Sequence, residues 1–171
     1  MTQTGPPGVG NAVRQGLAAS RGAWVVMIDS DGEMDPQTVP RLLAEQARTG
    51  ADLVVASRWV RGGGVEGYDA WKLPLNRVFQ VLFRVLARAP VHDLTLGFKL
   101  LRGDLARTLP WKAERHEIGI ETTLRPLCAG ARAAEVPTVW RRRKAGRSKG
   151  TFLMNFRYVR MALQVMMRPT S

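Results

Sequence analysis

The chain is nearly without cysteine: among 171 residues there is one, Cys128, so no internal disulfide can form. Its place in the largely apolar run 123–129 predicts a buried structural thiol rather than a nucleophile. Long hydrophobic runs are missing too. Arg84, Arg88, Arg157 and Arg160 interrupt the two longest candidates, so no stretch reaches the roughly 20 apolar residues that span a bilayer. Aromatics are few, 7% of the chain, and Trp59, Trp71, Trp111 and Trp140 are widely scattered. Single-stranded RNA readers need an ordered stacking series, so the basic cluster 141–149 alone makes a poor case for a nucleic-acid-binding module. Acidic side chains are scarce as well. Against 26 Lys and Arg stand 14 Asp and Glu, a formal charge of +12, which calls for an anionic partner such as phosphate or acidic lipid.

What is present reads as globular. Hydrophobic residues are 45% of the chain, and the length suffices for one domain with its own core. Residues 1–10, rich in Gly, Pro and Thr, read as a loop rather than a signal peptide. A short helix is expected over 11–20, then a buried strand over 23–28. Asp35 can cap the next helix, with Pro36 at its first position and Gly50 just past its end. A second apolar strand over 53–56 follows, and the order helix, strand, helix, strand argues a right-handed crossover in a parallel sheet. Four glycines between Arg61 and Gly67 predict a mobile loop, and Pro90 should end a helix over 72–89. Beyond it come a strand over 98–101, a helix over 117–129 closed by Gly130, and a strand over 133–136. Over 152–167, Leu153, Phe156, Val159, Leu163 and Met166 share one helical face, with Arg157, Arg160 and Arg168 able to reach an anionic surface.

The segment Val25-Val26-Met27-Ile28-Asp29-Ser30-Asp31-Gly32-Glu33-Met34-Asp35-Pro36 sets an acidic cluster at the carboxyl end of a buried strand, where open α/β sheets bind ligands. Two carboxylates one residue apart can share a hard divalent cation, which in turn neutralises a diphosphate. Equally, Asp29 and Asp31 can serve only to satisfy backbone amides in a capped turn. A calcium loop of the helix-loop-helix type is excluded, because Gly32 falls fourth after the first aspartate rather than sixth. His116, Glu117 and Glu121 lack a third ligand at zinc spacing, and a structural role is expected for them and for His92.

Asp29-x-Asp31-Gly32-x-x-Asp35-Pro36 resembles the metal motif of family 2 glycosyltransferases. Four later blocks follow in the order seen in polyprenyl phosphate mannosyl and glucosyl transferases. They are Ala56-Ser57-Arg58-Trp59, Gly62-Gly63-Gly64-Val65, Asp93-Leu94-Thr95-Leu96-Gly97-Phe98 and Gly146-Arg147-Ser148-Lys149. The resemblance implies an α/β fold of the GT-A type with a mainly parallel sheet flanked by helices. It also implies a partial catalytic domain over 1–150 and a basic amphipathic tail helix over 151–171. The Pro-x-x-Asn-Glu strand and Asp-Asp segment with which such enzymes bind the base and ribose do not occur before Gly10. A truncated nucleotide site is therefore expected, with a second chain as one source of the missing half and an open sheet edge as a consequence.

By resemblance, Asp29 faces the nucleotide and metal, while Asp31 and Glu33 coordinate Mg2+ or Mn2+. Arg58 is similar to an arginine that contacts phosphate or sugar, and a guanidinium fork suits a diphosphate. Lys72 stands where the family often has a second arginine. Asp93 matches an aspartate that helps hold donor sugar or acceptor, although Leu96 replaces the usual serine. Arg143 and Lys149 resemble the basic flanks of a loop that grips phosphate, with Arg147 where an acidic residue is usual. The same loop suits anionic lipid. The implied donors are nucleotide sugars of the GDP-mannose or UDP-glucose type, and the implied acceptor is a polyprenyl phosphate or another lipid. The expected location is the cytoplasmic face of the membrane, as a peripheral protein. The non-enzymatic alternative is a basic module, membrane-surface or RNA-binding, left by truncation of a transferase.

Overall fold

The computed structural model describes residues 7–67, 72–142 and 153–167. The first helix, α1 (Val9–Ala19), ends where the Ser20 hydroxyl donates to the Leu17 carbonyl at 2.7 Å. Strand β1 (Trp24–Met27) follows, and the chain then bends through the acidic segment. Asp35 caps as expected, accepting from the Gln37 amide at 2.9 Å, but what it caps is a single 3-10 turn, Pro36–Thr38. α2 (Val39–Thr49) starts only after it. Pro40 fits there because the first turn of a helix needs no amide donor from that residue. Gly50 closes α2 in the left-handed region, φ 64°, which a glycine enters without steric cost.

Strand β2 (Leu53–Ser57) is buried along its whole length, as a fully apolar strand should be. The glycine segment forms a short strand, β3 (Gly64–Glu66), where a mobile loop was expected. Helix α3 (Lys72–Leu86) comes next, ending before Pro90, followed by β4 (Lys99–Arg102) and the unanticipated six-residue α4 (Gly103–Thr108). α5 (Ile118–Cys128), β5 (Ala133–Pro137), a second unanticipated element β6 (Val139–Arg141), and α6 (Leu153–Met167) complete the order.

The main sheet runs β1-β4-β2-β5, and β3 pairs with β6 in a separate parallel ribbon. Strands β1, β2 and β5 point the same way. The sheet is mixed rather than mainly parallel, however, because β4 enters antiparallel between β1 and β2. The crossover through α2 leaves a gap one strand wide, and β4 fills it, with Lys99 opposite Met27 on one side and Val55 on the other. β1 lies at one end of the sheet, all four of its residues partly exposed.

Alternation along the strands sorts two cores. Leu53, Val55 and Leu101 pack with α1, α3, α5 and α6 on one face, while Val54, Ala56, Phe98 and Leu100 pack with Leu42 of α2 on the other. Helix α6 lies along α5 and buries Met161, Ala162 and Val165. The apolar face read from the sequence over 152–167 is a different one from this buried stripe. Phe156 and Leu163 are exposed, and Val159 and Met166 are half-buried, because α6 carries apolar residues on several sides and packing against α5 selects among them. Cys128 corrects another expectation, since the last turn of α5 carries it to the surface. Partial burial still pushes its thiol above the ordinary value, which disfavours the nucleophilic thiolate.

Candidate active site

Three segments meet at the end of the sheet where β1 and β2 finish: the acidic bend after β1, the Ser57-Arg58-Trp59 turn after β2, and the 93–98 loop that leads into β4. The bend is held by its own carboxylates and by β6. Asp31 Oδ1 accepts from the Glu33 amide at 3.1 Å, and Gly32 supplies the positive φ of 75°. Glu33 Oε2 accepts from the Trp140 indole at 2.9 Å, while its carbonyl takes the Arg141 amide at 2.8 Å. The Asp29 carboxylate lies over Gly97, whose missing side chain makes room: a Cβ there would come within 3.3 Å of Oδ2.

Arg58 and Asp93, thirty-five residues apart, are brought together. Arg58 Nε donates to Asp93 Oδ2 at 2.7 Å and Nη2 to Oδ1 at 2.9 Å, a two-point fork, and the Arg58 backbone amide adds a bond at 3.1 Å. The Arg58 side chain is 9% exposed and that of Asp93 fully buried. Burial pushes the Asp93 carboxyl upward, but the charge and hydrogen bonds of Arg58, with the Leu96 amide, outweigh it and hold the group below its ordinary value. The Nε and Nη2 edge of Arg58, the edge suited to a phosphate, is thus engaged by Asp93. Asp93 serves to fix Arg58 here.

A polar girdle supports this pair. Arg58 Nη2 also donates to Thr95 Oγ1 at 3.1 Å, and Gln80 of α3 donates to the same hydroxyl at 2.6 Å while accepting from the Leu94 amide at 2.8 Å. Glu135 of β5 receives the His92 and Asp93 amides at 2.7 and 3.1 Å, and meets His92 Nδ1 at 2.7 Å. His92 is accordingly structural. α5 presses on the loop from the other side, since a Cβ on Gly119 would sit 2.3 Å from the Thr95 carbonyl oxygen. Gly119→Ala is therefore expected to cost about 1–3 kcal/mol in denaturant titrations, as overpacking does. A loss below about 0.5 kcal/mol would show that α5 shifts freely.

Trp59 ties α3 to the site a second time. Arg58 Cζ lies 5.5 Å from its ring centroid and Arg77 Cζ of α3 lies 5.1 Å away, distances at which a guanidinium is attracted to an indole. Its Nε1 is buried and meets no acceptor among the described residues.

Beneath the loop, Lys99 is fully buried. Its ammonium donates to the Gly119 carbonyl and, at 3.0 Å, to Thr122 Oγ1. Burial lowers its pKa to about 7, with Asp93 and Asp29 pulling it up and Arg58 pulling it down. Farther off, Glu121 accepts from Arg125 Nη2 at 2.8 Å and from the Lys112 and Ala113 amides. That is a structural role, as expected.

Of the residues singled out from the sequence, Asp29, Asp31, Arg58 and Asp93 come to one end of the sheet, with Glu33 turned to Trp140. Among the described residues no three carboxylate, histidine or cysteine side chains gather as a metal cluster, so Asp29, Asp31 and Glu33 do not form a closed cage. Asp29 and Asp31 do suit a hard cation that takes its remaining ligands from water and phosphate oxygens. Lys72 begins α3 but its side chain lies outside the described residues, as do Arg143 and Lys149. Sequence reasoning missed Gln80, Thr95, Lys99 and Arg77. Only Lys99 carried a local signal, a lone lysine opening an apolar strand.

The mixed α/β sheet flanked by helices is GT-A-like. The same architecture occurs in glucosyl-3-phosphoglycerate synthase from Mycobacterium tuberculosis in complex with uridine-diphosphate, which superposes with TM-score 0.65 at 22% identity, over 94% of this chain and 56% of that one. The chain belongs to the glycosyl transferase family 2, whose model matches residues 2–109. It is 30% identical over 155 residues to polyprenol monophosphomannose synthase from Mycolicibacterium smegmatis, covering 87% of this chain and 58% of the relative. It is 31% identical over 128 residues to undecaprenyl-phosphate mannosyltransferase from Micrococcus luteus, covering 73% and 52%. The chain thus spans about half the length of these curated relatives.

Proposed function

We propose that this chain forms part of an enzyme that moves a hexose from a nucleotide sugar onto a lipid-linked phosphate, most simply a polyprenyl phosphate. The observation that carries the reading is the Arg58–Asp93 fork fixed beside the exposed Asp29 and Asp31 at the end of β1. The named relatives act in polyprenol and undecaprenyl phosphate mannosyl transfer, which supports this acceptor class. A solved structure of glucosyl-3-phosphoglycerate synthase holds Mn2+ with UDP-glucose, which supports a divalent cation and a nucleotide-sugar donor.

In this reading Asp29 and Asp31 hold Mg2+ or Mn2+ together with the donor diphosphate. When bound, such a cation neutralises the charge that develops on the departing nucleoside diphosphate. Glu33 secures the bend through Trp140 and is the third candidate ligand. Arg58, held by Asp93, and Arg77, across the Trp59 ring, place positive charge where a phosphate would dock. Lys72, Arg143 and Lys149 are proposed to add further cations. An acceptor phosphate is already an anion and needs little help from a general base, which fits a site richer in arginine than in bases. The catalytic unit is proposed to cover residues 1–150, with the basic helix α6 toward the membrane surface. No described helix is long and apolar enough to cross a bilayer.

The test is calorimetric titration of the chain with GDP and UDP, with and without manganese. Manganese-dependent binding of one of them is expected. Asp31→Ala should weaken that binding at least about tenfold and leave the fold intact, because Asp31 is exposed and its bond to the Glu33 amide is local to the bend. Equal binding by the variant would overturn the site assignment.

A further inference from the structure

The bend after β1 carries Asp29, Asp31 and Glu33, and the three are not held alike. Asp29 and Asp31 are exposed, whereas Glu33 is half-buried and turned toward β6. Its Oε2 accepts from the Trp140 indole at 2.9 Å, and the next residue along the strand, Arg141, gives its backbone amide to the Glu33 carbonyl at 2.8 Å. Side chain and main chain of Glu33 are thus gripped by two consecutive residues. The donor is itself fixed, because the Trp140 ring packs against the core cluster that contains Met34, the residue after Glu33. An indole N–H is neutral, so this bond fixes the carboxylate without bringing a positive charge toward the bend.

The same short stretch reaches the other half of the site. The Thr138 amide donates to the Ser57 carbonyl at 2.9 Å, in the turn that carries Arg58, and the Thr138 carbonyl accepts from Gly64 of β3 at 3.1 Å. The Thr138 hydroxyl lies 3.4 Å from that of Thr38, in the turn that follows the bend. Residues 138–141 therefore join the acidic bend to the arginine turn and set the spacing between them. A cation on Asp29 and Asp31 and a phosphate beside Arg58 can belong to one diphosphate only while that spacing holds.

We propose that Trp140 is a positioning residue for the cation site: its indole keeps Glu33 on β6 and leaves Asp29 and Asp31 as the protein's ligands. Glu33 then serves the shape of the bend rather than the cation, a different role from the one its place in the motif implies. The remaining coordination falls to water and diphosphate oxygens, which hard cations accept readily. This role rests on the proposed cation-dependent nucleotide site.

The experiment compares the native chain with Trp140→Phe, Glu33→Ala, Glu33→Gln and the double variant of the first two, in manganese affinity at saturating GDP or UDP. Phenylalanine keeps a ring against the core and removes the N–H, so the fold should survive. Although an indole ligates no cation, Trp140→Phe should lower the affinity about 10- to 100-fold, the usual loss when the partner that orients a metal ligand is removed. Glu33→Ala should match it, and the double variant should lose no more than either. Glu33→Gln, whose amide oxygen accepts the same bond, should recover most of the loss. The second readout is the Trp140 indole N–H signal in proton–nitrogen correlation spectra, picked out from those of the five tryptophans by its absence in Trp140→Phe. Without metal it should move in Glu33→Ala. In the native chain, magnesium and nucleotide should not reproduce that movement. If they do, Glu33 leaves Trp140 for the cation and the proposal is overturned. Equal manganese affinity in Trp140→Phe also overturns it, because the ring would then only fill space, as does a tighter one, because the indole would then compete with the cation for Glu33. If the native chain binds no manganese with either nucleotide, the proposed function and this role fail together; if it binds and Trp140→Phe binds as well, this role fails alone.

Discussion

Asp93→Ala is expected to destabilise the chain by about 3–5 kcal/mol, the usual cost of removing one partner from a buried ion pair. The side chain left behind, Arg58, is 9% exposed and loses both points of its fork. The Leu96 amide loses its acceptor at the same time. Truncating Arg58 instead strands a fully buried carboxylate, which can protonate to relieve itself. A double variant lacking both groups should therefore lose less than the two single losses added together. Denaturant titrations of the four proteins measure this coupling. A loss below about 1 kcal/mol in Asp93→Ala would mean that the pair behaves as a surface salt bridge.

The pH dependence follows from the direction of the Asp93 shift. Its carboxyl titrates below the ordinary value in the folded protein. Its contribution is complete above the unfolded carboxylate pKa and is lost as pH falls through the lowered folded value. Native protein should accordingly lose stability on acidification more steeply than Asp93→Ala does. Metal-dependent nucleotide binding should also weaken in Asp93→Ala, since Arg58 would no longer be held beside the Asp29 and Asp31 bend.

What was legible beforehand follows from how locally each feature is encoded. The Asp35 cap, the Gly50 stop and the apolar strand β2 are written in a few neighbouring residues, and each appears within a residue or two of its expected place. The insertion of β4 between β1 and β2 is not local. It depends on a segment some forty residues after β2 reaching back to fill a gap, so strand order read from β1, α2 and β2 alone suggests neighbours that never touch. Short elements such as α4 and β6 carry too few residues to show a period. On α6 two apolar stripes compete, and only the shape of α5 decides which is buried.

The site divides along the same line. The acidic cluster at the end of β1 pointed to Asp29 and Asp31, and the resemblance to family 2 glycosyltransferases pointed to Arg58 and Asp93. Nothing in the spacing revealed that Arg58 and Asp93 neutralise each other, because that contact spans the whole of β3 and α3. Nothing in the sequence sets Arg77 apart from the other arginines. Its position over Trp59 is a product of tertiary packing.

Lys99→Met is expected to remove most of the rise in stability with pH between about 7 and the ordinary lysine value near 10.4. Native Lys99 is lowered to about 7 by burial. In that window the unfolded chain binds a proton at this position and the folded chain does not. Stability must therefore rise with pH across it, by on the order of 4 kcal/mol for a shift of this size. Below pH 7 both states are protonated, and the cost of burying the ammonium is present in full. The groups that act on Lys99 come from three segments: Asp93, which raises its pKa most, then Asp29, and Arg58, which opposes them. Gly119 and Thr122 of α5 supply its acceptors. Methionine keeps the length of the stem without a charge, and the Thr122 hydroxyl keeps its bond to the Ile118 carbonyl at 2.8 Å. The variant should thus be no less stable than the native chain at pH 6, and its stability should stay nearly flat up to pH 10. The decisive quantity is the difference in slope between the two proteins, because tyrosines, Cys128 and other lysines titrate equally in both. Parallel slopes would show that Lys99 stays protonated in the fold, held by Asp93 and Asp29 more strongly than burial opposes it. The ammonium would then be a fixed cation beneath the site, and Lys99→Met should weaken the hold on Asp29 and Asp93 that Lys99→Arg preserves.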